Sequence, residues 1–480
     1  MDNPAMTVPA SQKVPPPPQQ EHGTGLGRTW TTVTDPSGDP LQVTASHKQK
    51  YDAKIPTIPS KLDHGWRRIV RNFSPSWFSV TMGTGIVSTI LITIPWNPWK
   101  PNWLYYLSIV FFVLNVGLFS LAFTASLLRY LIWPEIWTVM INDATNSLFL
   151  GTIPMGFATI VEMWIFVCVP AWGEWAAYVA WGLWMLDSVV AVSVTVTLGI
   201  LLMSASHQRS LDTITAAQLL PIAATIVAAG TGSEVAEVLP NPQHALGTII
   251  ASYIMWGMAT PMAISVLVIY YQRLALHKMP PREIIVSAFL PLGPLGFGGY
   301  TILYLGKQAA DIFPRTGSLD PLAGSIAYVL GFFIALVMWG WGLLWFALAL
   351  AAIYKSRPFP FNMGWWGFTF PLGVYSVSTI QIGIELPSRF FRVLGTIFGT
   401  AVVVLWCIIA VGTARGAWKG HLFHAPCLAN LKKQDEVAER ASSAEEKELG
   451  AATPDSTGTG SNLTKVCSIQ GRTAPDIEGS

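Results

Sequence analysis

Charge is scarce in this chain. Lys, Arg, Asp and Glu together make up 12% of its 480 residues, against about a quarter in a soluble domain. So few charges argue against a water-solvated fold and for a chain solvated by lipid. The net charge of +2 is too small to imply a nucleic-acid partner, and the basic residues form no cluster interleaved with aromatics. Cysteine is scarcer still: Cys168 and Cys407 lie in apolar segments, Cys427 and Cys467 near the C-terminus, and no spacing suits a metal site or a disulfide framework. Histidine is kept out of the apolar segments, since all eight (22, 47, 64, 207, 244, 277, 421 and 424) fall in tails, loops or segment ends. Without such constellations, metal and acid–base chemistry inside the membrane is not expected, nor is an enzyme, a cofactor or a bound metal. The first 70 or so residues are polar, so no cleavable signal peptide is expected and the first apolar helix must direct insertion.

What the chain does have is apolar length. Hydrophobic residues reach 51% and the mean hydropathy is +0.45. A spanning helix needs about 20 apolar residues. Ten segments qualify, near 76–95, 104–128, 145–169, 174–202, 218–239, 246–271, 283–305, 323–354, 365–385 and 390–414. Short connections make neighbours antiparallel. Tryptophan crowds the segment ends, as at Trp96, Trp99 and Trp103, or Trp172 and Trp175, the placement of an interfacial belt. Residues 1–62, with the run Pro15–Pro18, and residues 426–480, with the charged stretch Lys432 to Glu448, hold too little to bury and are expected to be disordered tails. That leaves 63–425 as one membrane domain. Thirteen Lys and Arg flank the segments on the N-terminal side, among them Arg67, Arg68, Arg71, Arg209, Arg273, Lys278, Arg282 and Lys355; five lie opposite, Lys100, Lys307, Arg315, Arg389 and Arg392. The bias puts both termini in the cytosol. The sequons at Asn72 and Asn462 then carry no glycan.

The segments alternate in character. The first has Pro75 at its start and Gly83 and Gly85 inside; the third has Pro154 and Gly156; the fifth Pro221 and Gly230; the seventh Pro291, Gly293 and Pro294; the ninth Pro371 and Gly373. Segments two, four, eight and ten contain no proline, and Pro261 in the sixth is the exception. The pattern is a fivefold repeat of a helical hairpin. It predicts an all-α integral membrane protein of ten helices around a central pore, odd helices kinked and inner, even helices continuous and outer. Proline removes a backbone donor, and freed carbonyls at membrane depth are tolerated only where protein or a wet cavity satisfies them. Ordinary helix packing by Gly and Pro is the competing reading.

No Lys or Arg sits near a segment centre, so a pathway here would carry a weakly held anion, solvated by backbone N–H groups and by hydroxyls such as Thr84, Thr152, Thr231, Thr369 and Ser378. Intramembrane acids are costly and are functional candidates by default. Asp187, in the fourth segment, is a candidate for a proton relay or an interhelical hydrogen bond. Glu162 is late in the third, and Glu234 and Glu237 are late in the fifth, where they suit an outer vestibule or local capping. Phe370 precedes Pro371, and a ring there either plugs a narrow pore or packs in a core.

Four blocks carry a resemblance: Phe73-Ser-Pro-Ser-Trp-Phe-Ser-Val-Thr-Met-Gly-Thr-Gly85, Ser147-Leu-Phe-Leu-Gly-Thr-Ile-Pro-Met-Gly156, Leu220-Pro-Ile-Ala-Ala-Thr-Ile-Val-Ala-Ala-Gly230 and Trp365-Trp-Gly-Phe-Thr-Phe-Pro-Leu-Gly373. In this order they resemble the fungal sulfite efflux pumps of the tellurite-resistance/dicarboxylate transporter family, which also holds the plant slow anion channels and fungal malate permeases. The likeness spans roughly residues 64–425. It implies export of sulfite or bisulfite at the plasma membrane, a phenylalanine gate at Phe370 on the ninth helix, and homotrimers in which each subunit has its own pore. A malate or other dicarboxylate permease of the same fold is the nearest alternative, weakened by the missing mid-depth cation. A receptor or scaffold is the other class, and the short loops leave it little room.

Overall fold

In lipid every backbone donor and acceptor must be satisfied within the segment or by a neighbour. The computed structural model describes residues 65–96, 102–143, 145–203, 211–277, 279–420 and 422–423, and among these it is helical with no strand. The expected tails, and Trp99, Lys100, Arg209 and Lys278, lie outside the described residues. Among the described residues nine helices are long and apolar enough to span: α1 Pro75–Thr93, α2 Asn102–Ile132, α3 Ser147–Trp172, α4 Glu174–Met203, α5 Ala216–Val238, α6 Pro242–His277, α7 Arg282–Thr316, α8 Ala323–Lys355 and α10 Arg389–Trp418. The tenth expected segment is also helical, as a 3-10 turn Met363–Phe368 running into α9, Thr369–Glu385. Its 17 residues include Ser376, Ser378, Thr379, Gln381 and Glu385, and 14 of them are buried. A helix enclosed by other helices needs no lipid-facing apolar surface, so its polarity is permitted.

Burial separates the two kinds of helix. The most apolar stretches of α1, α3, α5 and α7 are 72%, 61%, 100% and 89% buried, while those of α2, α4, α6, α8 and α10 range from 22% to 33%. Odd helices are inner and even helices outer. The inner helices touch in the order α1–α3–α5–α7–α9 and back to α1, which closes a ring of five. Each hairpin partner packs outside its own inner helix and against the next. Close approach at the ring seams depends on glycine. A Cβ on Gly156 of α3 would lie 2.4 Å from Thr81 Oγ1 of α1, one on Gly230 of α5 2.3 Å from the Phe297 ring of α7, and one on Gly296 of α7 2.8 Å from Tyr375 Cα of α9. Gly83 meets Thr369 and Trp366, Gly373 meets Ile86, and Gly85 meets Thr159 and Asn115 in the same way.

Pro261 of α6 and Pro314 of α7 lie inside their helices, but the prolines of the fivefold break do not. Each inner helix begins with a 3-10 turn: Pro75–Trp77, Ser147–Gly151, Ala216–Gln218, Arg282–Phe289 and Met363–Phe368. The α-helical part then starts, at Thr152, Leu219, Leu292 and Thr369, with proline as its third residue: Pro154, Pro221, Pro294 and Pro371. The first four N–H groups of an α-helix have no i−4 partner, so proline at that point costs no ladder bond. The fivefold break is therefore a 3-10-to-α junction at one end of each inner helix.

Candidate functional site on the ring axis

The packing of α9 fixes which of its faces looks inward. Thr369 and Gly373 lie against α1, Tyr375 against Gly296 of α7, and Ile380 against Gly395 of α10. Ser376 donates to Gly395 O at 2.8 Å, and Thr379 accepts from Trp339 of α8 at 2.9 Å. At about 100° per residue, the face left over carries Phe370, Val374, Val377 and Gln381. Phe370 is buried, and among the described residues its ring has no stacked or edge-on partner. Its neighbour Phe368 is held by Phe289 and Trp365, with ring centroids at 5.0 and 5.8 Å.

On α7 the same reasoning turns Gly293, Tyr300 and Tyr304 toward the axis. Gly296 is committed to α9, Gly299 to Ala335 of α8, and Gly298 to Met338. Gly293 is buried, yet a Cβ there would meet no atom within 4 Å. It faces an internal space, and it occupies the position on α7, just before Pro294, that Phe370 occupies on α9.

Further along, carboxyl groups enter the ring. Glu162 of α3 accepts from Thr89 of α1 at 3.2 Å and from Thr231 of α5 at 3.3 Å. One side chain that bridges both ring neighbours of its own helix lies on the axial side. A single π turn, Trp164–Cys168, follows it, a feature often found at functional positions. Glu234 of α5 accepts from Tyr300 of α7 at 2.7 Å through Oε1, and among the described residues its buried Oε2 has no partner. Glu237 accepts from Tyr304 at 2.5 Å. Tyr300 and Tyr304 stack at 5.2 Å, and Lys307 lies 5.2 Å from the Tyr304 ring. At this end, opposite the 3-10 turns, Lys307 pairs with Glu385 at 3.5 Å, and Glu385 also accepts from Tyr328 at 2.6 Å and Gln381 at 2.8 Å. The tyrosine partners were not singled out in the sequence, although their i, i+4 spacing on α7 answers the i, i+3 spacing of Glu234 and Glu237 on α5.

Other candidates fall off the axis. Asp187 shares a face of outer helix α4 with Trp184 and Thr195, which bond Ala228 O and Pro221 O of α5. It is buried behind the ring, and among the described residues both its carboxyl oxygens lack a partner. The hydroxyls expected to solvate an anion are mostly occupied: Thr152 donates to Phe149 O at 2.7 Å, Thr84 to Val80 O at 2.7 Å, Thr369 to Trp366 O at 2.8 Å and Thr301 to Phe297 O at 2.7 Å. Such back-bonding to the preceding turn is the local option open to Ser and Thr in a helix. Ser378 is different, buried and without a partner for its Oγ. Among the described residues no His/Cys/Asp/Glu group could hold a metal.

The profile of the SLAC1 family, described as voltage-dependent anion channel, matches residues 72–414. The sulfite efflux pump SSU1 of Arthroderma benhamiae is 48% identical over 354 residues, 74% of this chain and 93% of the relative. The protein of that name from Trichophyton rubrum is 49% identical over the same shares. The malic acid transport protein of Schizosaccharomyces pombe is more distant, 26% identical over 75% of this chain and 82% of its own. A closed ring of five inner helices, each entered through a 3-10 turn, is thus joined to sequence identity along most of the chain: the protein is a multi-pass membrane member of the SLAC1 anion channel family and of its SSU1 group.

Proposed function

We propose that the chain exports sulfite or bisulfite from the cell, along the axis of the five-helix ring, with Phe370 as the gate. The carrying observation is the inward face of α9, which sets an aromatic ring without a ring partner at the level where Gly293 fronts open space. Sulfite as cargo rests on the likeness to proteins named sulfite efflux pumps. The plasma membrane suits that role, and the excess of Lys and Arg on the N-terminal side supports cytosolic termini. An inside-negative potential then drives an anion outward by about 2.3 kcal/mol per charge per 100 mV. Sulfite release and sulfite tolerance in cells with and without the protein test the cargo: release should rise with expression, and unchanged release at verified surface expression would exclude it.

A dicarboxylate is the second reading, favoured by the Schizosaccharomyces pombe relative. The axial groups speak against it. Glu162 and Glu234 stand where a dianion would pass, and Lys307, on the axial face of α7, is already paired with Glu385. A small anion of low charge is repelled least, and of the two proposed cargoes that is the bisulfite monoanion rather than the sulfite dianion.

A further inference from the structure

Outside the ring, on the side where the inner helices begin, a crevice of about 860 Å³ opens between α6 and α8. Its walls are apolar, with Leu274 from α6 and Leu348 from α8, and its floor reaches Ala288 in the 3-10 turn of α7. Arg282 and Lys355 lie among its lining residues, and among the described residues no acidic one does. Tyr270 and Trp345 line it too, stacked at 5.6 Å. Both rings are nearly fully buried, yet among the described residues Tyr270 OH and Trp345 Nε1 have no hydrogen-bond partner. A buried Tyr or Trp normally finds one, so two adjacent orphans beside one crevice call for an acceptor from outside the protein. The neighbouring surface is that of a lipid-facing belt, with Tyr271, Leu276, Ile284 and Tyr354 exposed.

We propose that this crevice binds an anionic glycerophospholipid of the adjoining leaflet. Its head group sits by Arg282 and Lys355, an ester or phosphate oxygen accepts from Tyr270 and Trp345, and an acyl chain lies along Leu274 and Leu348. A free inorganic anion would answer the cations but leave the apolar walls uncovered. The lipid would back the 3-10 turn that leads, five residues after Ala288, to Gly293 on the ring axis.

The test is the lipid retained by the full-length protein, independent of transport. The protein is purified from bilayers of phosphatidylserine and phosphatidylcholine in equal amounts, and bound lipid is measured by native mass spectrometry. Phosphatidylserine should be retained in preference. The double variant Arg282→Gln/Lys355→Gln should lose a preference of roughly 30-fold, from about 1 kcal/mol per basic residue at an anionic surface. Trp345→Phe, which keeps the ring and removes the donor, should weaken retention of either lipid. Equal retention of the two lipids by the wild type overturns the proposal, as does a double variant that keeps the preference. A photo-crosslinker at exposed Ala351 that captures a second copy or this chain's own tail, in place of lipid, also overturns it.

Discussion

At the scale of single residues, Phe370 separates gating from packing by a pair of measurements. Truncating a fully packed core Phe costs about 3–5 kcal/mol. Phe370 has no ring partner and looks toward the axis, so Phe370→Ala should raise basal anion flux several-fold with a smaller loss of thermal stability than that range implies. Phe370→Leu, which keeps bulk, should leave flux low. Unchanged flux in Phe370→Ala with a full core-sized destabilisation would return the ring to packing. Tyr300 offers a complementary case. Its hydroxyl donates to Glu234 Oε1 at 2.7 Å, and among the described residues Glu234 Oε2 has no partner. Tyr300→Phe leaves a buried carboxyl with neither oxygen bonded by a side chain, which should cost about 1–3 kcal/mol in a thermal unfolding assay while preserving the aromatic stack with Phe297 and Tyr304.

At the scale of elements, the glycines divide into those at seams and one that is not. Gly156→Ala and Gly296→Ala put a methyl against Thr81 Oγ1 or Tyr375 Cα at distances no real Cβ adopts, and overpacking of that kind costs about 1–3 kcal/mol. Gly293→Ala meets nothing and should leave the melting temperature unchanged in detergent; a drop equal to that of Gly296→Ala would mean that the space before Gly293 does not exist. The alternation of broken and continuous helices was legible because lipid forbids unsatisfied backbone and because outer helices must be apolar all round. The location of the break was not. Proline spacing alone does not say whether the residue sits in mid-helix or just past a 3-10 turn, and only the ladder of Thr152, Leu219, Leu292 and Thr369 as α-helix starts decides it. Helix ends were misjudged where polarity outruns the bilayer. Apolarity in α7 fades near residue 305, but the helix continues to Thr316, with Asp311 and Arg315 paired at 2.8 Å. Asp187 and Glu234 stood out as costly intramembrane acids, yet which of them faces the axis depends on the order of helices around the ring, information held in tertiary contacts.

At the scale of the whole molecule, the ring has two unlike halves. The half near the 3-10 turns offers Phe370 and the space before Gly293; the opposite half offers Glu162, Glu234 and their hydroxyl donors. On the proposed axial route, an anion that passes the first must pass the second. With the second half facing outside, as proposed, its carboxyl groups repel an anion when ionised and not when protonated, so the sign of the effect is fixed: acidifying the outside should increase efflux and alkalinising it should decrease efflux. The measurement needs an anion whose own charge is fixed over the range, such as a halide, driven by a set potential in vesicles with a defined outer pH. Glu162→Gln/Glu234→Gln should flatten that dependence and hold flux near its acid level. Asp187→Asn, which lies behind the ring, should leave it in place. If the double variant keeps the wild-type pH profile while Asp187→Asn loses it, the proton-sensitive element lies behind the ring and the axial carboxyls are held there only by their hydrogen bonds.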